Sequence, residues 1–197
     1  MKNRSSVITG GSGIRKREEN DFYATPTAAT ELFLKNHDLK DVGTFLEPAC
    51  GQGHISKVLK RHFQNSNIIS TDLVDRGYGL GGIDFLKNDF EKVDVVITNP
   101  PFKLAYEFIE KSLSVAKKQV IMFAKIQFLE TERRAELFAN TPLKYVYVHS
   151  NRVAPMRNGE PLDEQGKPWS SAMCFCWFVW EVGYKGSPMI KFLRGRK

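Results

Sequence analysis

Residues 43–63 read GTFLEPACGQGHISKVLKRHF, and this stretch decides the fold. Gly43–Ala49 reads as a strand that ends in a turn carrying Gly51 and Gly53. His54–Phe63 then places Ile55, Val58, Leu59 and Phe63 on one side of an amphipathic helix. Downstream, Asn67–Leu73, Val93–Thr98 and Gln119–Lys125 read as strands, and Leu104–Val115 and Thr131–Ala139 as helices. Upstream, Thr25 is placed as an N-cap and Pro26 in the first turn of a helix through Ala29, Leu32 and Phe33. Strands alternating with helices imply βαβ crossovers and a mostly parallel sheet. Leu143–Val148 and Ala172–Val182 have no helical pattern between them, so they are expected to form an antiparallel edge hairpin at the C-terminus. The predicted class is α/β.

The 197 residues are 42% hydrophobic and 26% charged, which suits one globular core and excludes fibrous and disordered classes. No apolar run approaches the ~20 residues that span a bilayer. The N-terminal segment lacks the apolar stretch of a secretory signal. Cys50, Cys174 and Cys176 offer neither a disulfide framework nor zinc-ligand spacing. The expectation is a cytoplasmic protein with no membrane partner and no metal. Residues 1–20 carry Lys2, Arg4, Arg15, Lys16 and Arg17 against Glu18 and Glu19, and residues 185–197 carry five cations and no acid. These ends together carry +8 against −1 for residues 21–184, so they account for the net charge of +7. We therefore divide the chain into a flexible basic arm (1–20), a domain (21–184) and a basic tail (185–197). Basic arms suit a polyanion such as nucleic acid, and equally a solvated tail.

The turn after the first strand sits where a doubly wound sheet places its ligand. A dinucleotide fingerprint would require Gly or Ala at position 56, where Ser56 stands. Glu47 at the strand tip would repel phosphate and suits a cationic or amine-bearing group. Asp72 follows about 20 residues beyond the turn, the place of a carboxylate that grips ribose hydroxyls. Asp84-Phe85, after the glycine-rich turn Gly79–Gly82, offers a carboxylate to an exocyclic amine and a ring edge to a purine. Three acids at successive strand ends describe a nucleoside site without a phosphate clamp. S-adenosylmethionine has that shape.

Asn99-Pro100-Pro101-Phe102 terminates the strand Val93–Thr98 on the same edge. Two prolines fix φ and stop the strand. They hold the Asn99 amide and the Pro100 carbonyl as two oxygen acceptors in a rigid corner, with the flat Phe102 ring beside them. Two acceptors can take both N–H hydrogens of an amino group on a planar ring and free its lone pair. The aromatic ring can stack on that plane. This chemistry needs no nucleophilic side chain, so Cys50 reads as a buried turn residue and His54 as structural.

On these motifs the chain resembles the S-adenosylmethionine-dependent N6-adenine DNA methyltransferases, in particular the small phage and prophage type. Residues 47–53 look like the family's cofactor motif, 99–102 like its catalytic motif, and 21–26 (DFYATP) like the segment that binds the methionine end. The resemblance covers roughly residues 20–185. It implies a Rossmann-like methyltransferase sheet with S-adenosylmethionine held by Tyr23, Thr25, Pro26, Glu47, Pro48, Ala49, Gly51, Gly53, Asp72, Asp84 and Phe85. It implies that Asn99, Pro100, Pro101 and Phe102 hold the target adenine, rotated out of duplex DNA. No recognition domain is inserted between the two motifs. The spare segment is 150–171 (SNRVAPMRNGEPLDEQGKPWSS), whose Arg152, Arg157 and Lys167 are the candidate nucleic-acid contacts. The same residues leave open adenine in RNA, a glutamine amide in a protein, and a non-catalytic binding module of the same fold. Oligomeric state is not readable.

Overall fold

The computed structural model describes residues 22–195; the arm at 1–20, Asp21, Arg196 and Lys197 lie outside the described residues. The elements in chain order are β1 (Tyr23–Ala24), α1 (Thr27–Leu34), β2 (Thr44–Glu47), α2 (His54–His62), β3 (Asn67–Ser70) and β4 (Val93–Thr98). There follow α3 (Ala105–Val115), β5 (Ala116–Lys125), a 3-10 turn (Ile126–Leu129), α4 (Glu132–Ala139) and β6 (Leu143–His149). The last are β7 (Met156–Arg157), β8 (Phe175–Glu181) and β9 (Met189–Leu193). One sheet has the order β3-β2-β4-β5-β8-β6-β9, and β1 pairs with β7 in a separate two-stranded ribbon. β3, β2, β4 and β5 run parallel, β6 and β9 run parallel to each other, and β8 is antiparallel to both its neighbours.

Three details differ from the sequence reading. The last two predicted strands do pair antiparallel, but β8 lies inside the sheet, between β5 and β6, and not at its edge. The physical reason is its composition. Phe175 to Trp180 are all buried, with Phe175, Trp177 and Val179 facing one core and Cys176, Phe178 and Trp180 the other. A strand apolar on both faces must be covered on both, which an edge position does poorly. The edge is instead taken by β9, so the predicted tail 185–197 contributes a strand at Met189–Leu193. Only its Leu193 is buried, so its pattern was too weak to read. Finally, Pro26 precedes α1, and the Thr25 hydroxyl makes no capping bond.

The two cores lie on opposite faces of the sheet. Phe33 of α1 and Ile55 and Leu59 of α2 belong to the core that holds Trp177. Phe108 and Ile109 of α3 and Leu137 of α4 belong to the one that holds Phe178 and Trp180. Trp177 is stacked on Phe33 at 4.8 Å and packs against Phe123 at 4.9 Å. Trp177→Ala should therefore lose about 3–5 kcal/mol of stability. In thermal unfolding that is a fall in Tm on the order of 10 °C. The start of β2 is tied to β4 reciprocally: Asp94 Oδ2 accepts from the Gly43 and Thr44 amides at 2.7 and 3.1 Å, and Thr44 Oγ1 accepts from the Asp94 amide. This register brings the carboxyl ends of β2 and β4 side by side, which positions the site.

Candidate active site

Glu47 closes β2, and Cys50 donates its amide to the Thr71 carbonyl at 2.9 Å, so the turn after β2 is bound to the end of β3. Gly51 and Gly53 both have positive φ, +53° and +78°. Glycine is needed there for a second reason. A Cβ on Gly51 would lie 2.3 Å from the Phe22 ring, and one on Gly53 would lie 2.4 Å from the Tyr78 ring. The sequence placed a ligand against these glycines; the structure places the protein's own aromatic rings there. Arg76 stacks over Phe22 at 4.1 Å, and Lys57 and Lys60 sit over Tyr78.

Behind these rings lies a cleft of about 330 Å³. Tyr23, Thr25, Glu47, Pro48, Ala49, Asp72, Asp84 and Phe85 line it, with Asn99 and Pro101 on its far wall. Gly51, Gly53, Pro26 and Pro100 are not on its surface. The Asp72 carboxylate accepts from the Gly51 amide at 2.7 Å through Oδ2 and from the Val74 amide at 2.9 Å through Oδ1. Each oxygen keeps a lone pair for a further donor. Asp84 accepts from the Leu86 amide at 3.0 Å and pairs with Lys87 at 3.2 Å. Partial burial pushes its pKa up, but Lys87 and the Leu86 amide outweigh this and hold it below the usual carboxylate range.

Glu47 behaves oppositely. Its carboxyl is 2% exposed, and Oε2 accepts from the Ser56 amide at 2.8 Å and from the Ser56 hydroxyl. Burial pushes its pKa up to about 8, against those two hydrogen bonds and with help from the Asp72 charge. Burial, followed by the charges of Glu47 and Asp72, likewise pushes the Cys50 thiol up to about 12, so it is no nucleophile.

Asn99 donates through Nδ2 to the Tyr23 carbonyl at 2.7 Å. That bond fixes the amide plane and leaves Oδ1 buried with no partner. The Thr25 hydroxyl is also buried without a partner on the cleft wall. A buried acceptor without a donor costs ~1–3 kcal/mol, and such groups mark places where a ligand supplies the missing bond.

A second cleft, of about 290 Å³, opens on the other side of Tyr23. Phe102 lines it, stacked on Tyr23 with ring centroids 5.6 Å apart. The segment 150–171 folds back over this side, because β7 pairs with β1 in the register Tyr23↔Arg157 and Ala24↔Met156. Of its three predicted contacts, only Arg157 lines the second cleft. Arg152 donates to the carbonyls of Ser171 and Ala172, bracing the base of the loop. Lys167 lies exposed on a turn closed by the Leu162–Pro168 bridge.

No family model and no curated protein matches the sequence. Solved structures do match. The modification subunit of a putative type I restriction enzyme from Vibrio vulnificus YJ016 aligns with TM-score 0.61 and 13% identity over 89% of this chain. This chain spans 48% of that one. A SAM-dependent O-methyltransferase from Thermotoga maritima aligns at 0.51 and 11% identity, covering 86% of this chain and 67% of its own. The fold is the Rossmann-like methyltransferase fold. A dimethyladenosine transferase from Plasmodium falciparum aligns at 0.52 and 16% identity, covering 81% of this chain and 62% of its own.

Several lining residues went unread in the sequence. His54, taken as structural, lines the first cleft with Nδ1 buried and unpartnered, and burial, followed by the Lys57 charge, lowers its pKa. Its place directly after Gly53, at the start of α2, was the available signal. Lys125 and Phe175, also unread, line the second cleft beside Trp169 of the candidate segment 150–171, and no local pattern links the three.

Proposed function

We propose that the chain transfers a methyl group from S-adenosylmethionine to the N6 amino group of adenine in DNA. The observation that carries this reading is Asn99: a fixed amide whose oxygen acceptor is buried and unsatisfied, on the wall of the first cleft and bonded to the carbonyl of Tyr23, which lines both clefts. The first cleft fits the cofactor by its donor set. Asp72 retains acceptor capacity for vicinal hydroxyls, Asp84 offers a carboxylate to an amine, Glu47 faces a cationic group, and the Thr25 hydroxyl lacks a partner. Bound there, the cofactor would supply an electrophilic methyl group carried on a sulfonium.

The chain's own part is to bind and orient. Pro100, expected to supply a second acceptor, lines neither cleft, so Asn99 Oδ1 is the acceptor for an N–H hydrogen of an aromatic amine. That draws its lone pair out of conjugation, and Phe102 fixes the plane of the base. Two structural neighbours carry names compatible with this target, one the modification subunit of a putative type I restriction enzyme and one a dimethyladenosine transferase.

The test supplies methyl-labelled S-adenosylmethionine with duplex DNA, single-stranded DNA, RNA or cell protein, and identifies the labelled product by mass spectrometry. Label in N6-methyldeoxyadenosine is expected. Label in RNA or in glutamine would replace the substrate, and absence of both label and cofactor binding would overturn the reading.

Glu47 gives this reading a pH signature. A carboxyl whose folded pKa is raised to about 8, above its unfolded value near 4.5, binds its proton more tightly in the folded state. Its contribution to stability is complete below the unfolded pKa and is lost as pH rises through the folded one. A cationic ligand beside it favours the ionised form. Cofactor affinity should therefore rise between roughly pH 6.5 and 8.5, with proton release on binding. Calorimetry in buffers of different ionisation heat measures that release, and Glu47→Gln should abolish it.

A further inference from the structure

The first cleft holds one permanent cation that no acid answers. Lys87 and Arg76 both line it. Lys87 is paired with Asp84 at 3.2 Å. Arg76 makes no ion pair among the described residues, and its Nε is buried without a hydrogen-bond partner. Its guanidinium instead lies 4.1 Å from the centroid of the Phe22 ring. That ring rests on Gly51 in the turn after β2, and Phe22 directly precedes Tyr23 of β1. The main chain around Arg76 is tied by the Asp75 carboxylate, which accepts from the Gly77 amide at 2.9 Å. The guanidinium is therefore held beside the glycine turn with a donor that no protein acceptor meets. A buried donor in that state is costly and marks a place where a ligand supplies the bond.

The chemistry of the cofactor decides which group supplies it. S-adenosylmethionine carries one anion, the carboxylate of its amino-acid end. Its other polar groups are an ammonium, a sulfonium, two ribose hydroxyls and the groups of adenine. The acids of the cleft, Glu47, Asp72 and Asp84, suit cations, hydroxyls and an amine, and all three repel a carboxylate. A guanidinium presents a planar fork of N–H donors that matches a carboxylate. We infer that Arg76 is the anion subsite of the first cleft and takes the cofactor's carboxylate. The inference rests on the cofactor reading of this cleft. It adds a residue that neither motif contains, since Arg76 stands in the link between β3 and β4. It also gives the cleft a selectivity: a nucleoside with an amino-acid end is preferred to one without a carboxylate.

The test is a binding measurement, independent of methyl transfer. S-adenosylhomocysteine is titrated beside its decarboxylated analogue, which keeps the nucleoside, the thioether and the amine. Wild type should bind the decarboxylated analogue about 10- to 100-fold more weakly, the loss expected for a hydrogen bond between charged partners. Arg76→Gln should lose a similar factor for S-adenosylhomocysteine and bind the decarboxylated analogue within about threefold of wild type, so that the two ligands become nearly equal. Arg76→Lys keeps the charge without the fork and should discriminate between them to an intermediate degree. Tm should match wild type in both variants. If Arg76→Gln weakens both ligands equally, Arg76 acts only by supporting Phe22 and the subsite is overturned. If Arg76→Gln still discriminates as wild type does, the carboxylate is held elsewhere and the subsite is likewise overturned. In both of these cases S-adenosylhomocysteine binds wild type and the cofactor reading stands. If wild type binds neither ligand, the cofactor reading falls and the subsite with it.

Discussion

Asn99→Ala should reduce methyl transfer on the order of 10²–10³-fold, the loss typical of removing one aligned polar group at a reacting centre. The structure shows why the effect should be that large and that confined. The Asn99 amide makes one bond inward, to the Tyr23 carbonyl at 2.7 Å, and turns its Oδ1 toward no protein donor. The truncation removes an acceptor that the folded chain does not use for itself. Little stability should be lost beyond that one neutral hydrogen bond, ~0.5–1.5 kcal/mol. Cofactor affinity should stay within about threefold, because the loss of binding falls on groups that engage the target amine. Asn99→Asp separates the two halves of the amide. It keeps an acceptor but sets a carboxylate oxygen against the Tyr23 carbonyl, so activity between wild type and alanine is expected. Single-turnover rates with saturating cofactor measure all three proteins. Wild-type turnover in Asn99→Ala would remove Asn99 from the mechanism.

The parts of this site that were readable in advance share one property: each is encoded within a short stretch. The strand–turn–helix of 43–63 carries its own periodicity and its own glycines, and Val93–Thr98 with its terminating prolines is bounded as read. What escaped depends on contacts distant in sequence. Nothing around Gly51 announces that Phe22 rests on it, and nothing around Gly53 announces Tyr78. Arg152 and Arg157 look equivalent in sequence, yet one is spent on the Ser171 and Ala172 carbonyls while the other reaches the second cleft. The difference is made by the ribbon between β1 and β7, a pairing across more than 130 positions that no local pattern encodes. β8 was placed at the edge for a related reason. Its helix-free link to β6 implied a neighbouring strand, whereas burial on both faces decided which gap it filled.

Asp72→Asn carries the second large effect, because this carboxylate serves the fold and the ligand together. Its main chain is locked first: its amide donates to the Leu80 carbonyl at 3.0 Å, and its carbonyl accepts from the Ile83 amide at 3.0 Å. The side chain is thereby aimed before any ligand arrives, with Oδ2 on the Gly51 amide and Oδ1 on the Val74 amide. An asparagine has one acceptor where the site presents two N–H donors. Whichever way the amide turns, its own N–H group meets an amide N–H. Leaving one donor unmet and removing the charge from the other bond should lower stability by roughly 2–3 kcal/mol. For a domain of this size that corresponds to a Tm fall on the order of 5–10 °C. Cofactor affinity should fall further, by about 10- to 100-fold, since hydroxyls lose a charged acceptor worth ~1.5–3 kcal/mol. The two losses are separable by measuring affinity well below the variant's Tm. A purely structural Asp72 would show the Tm fall with near-wild-type affinity there. A full loss of affinity in a protein that still melts cooperatively would place the carboxylate on the ligand.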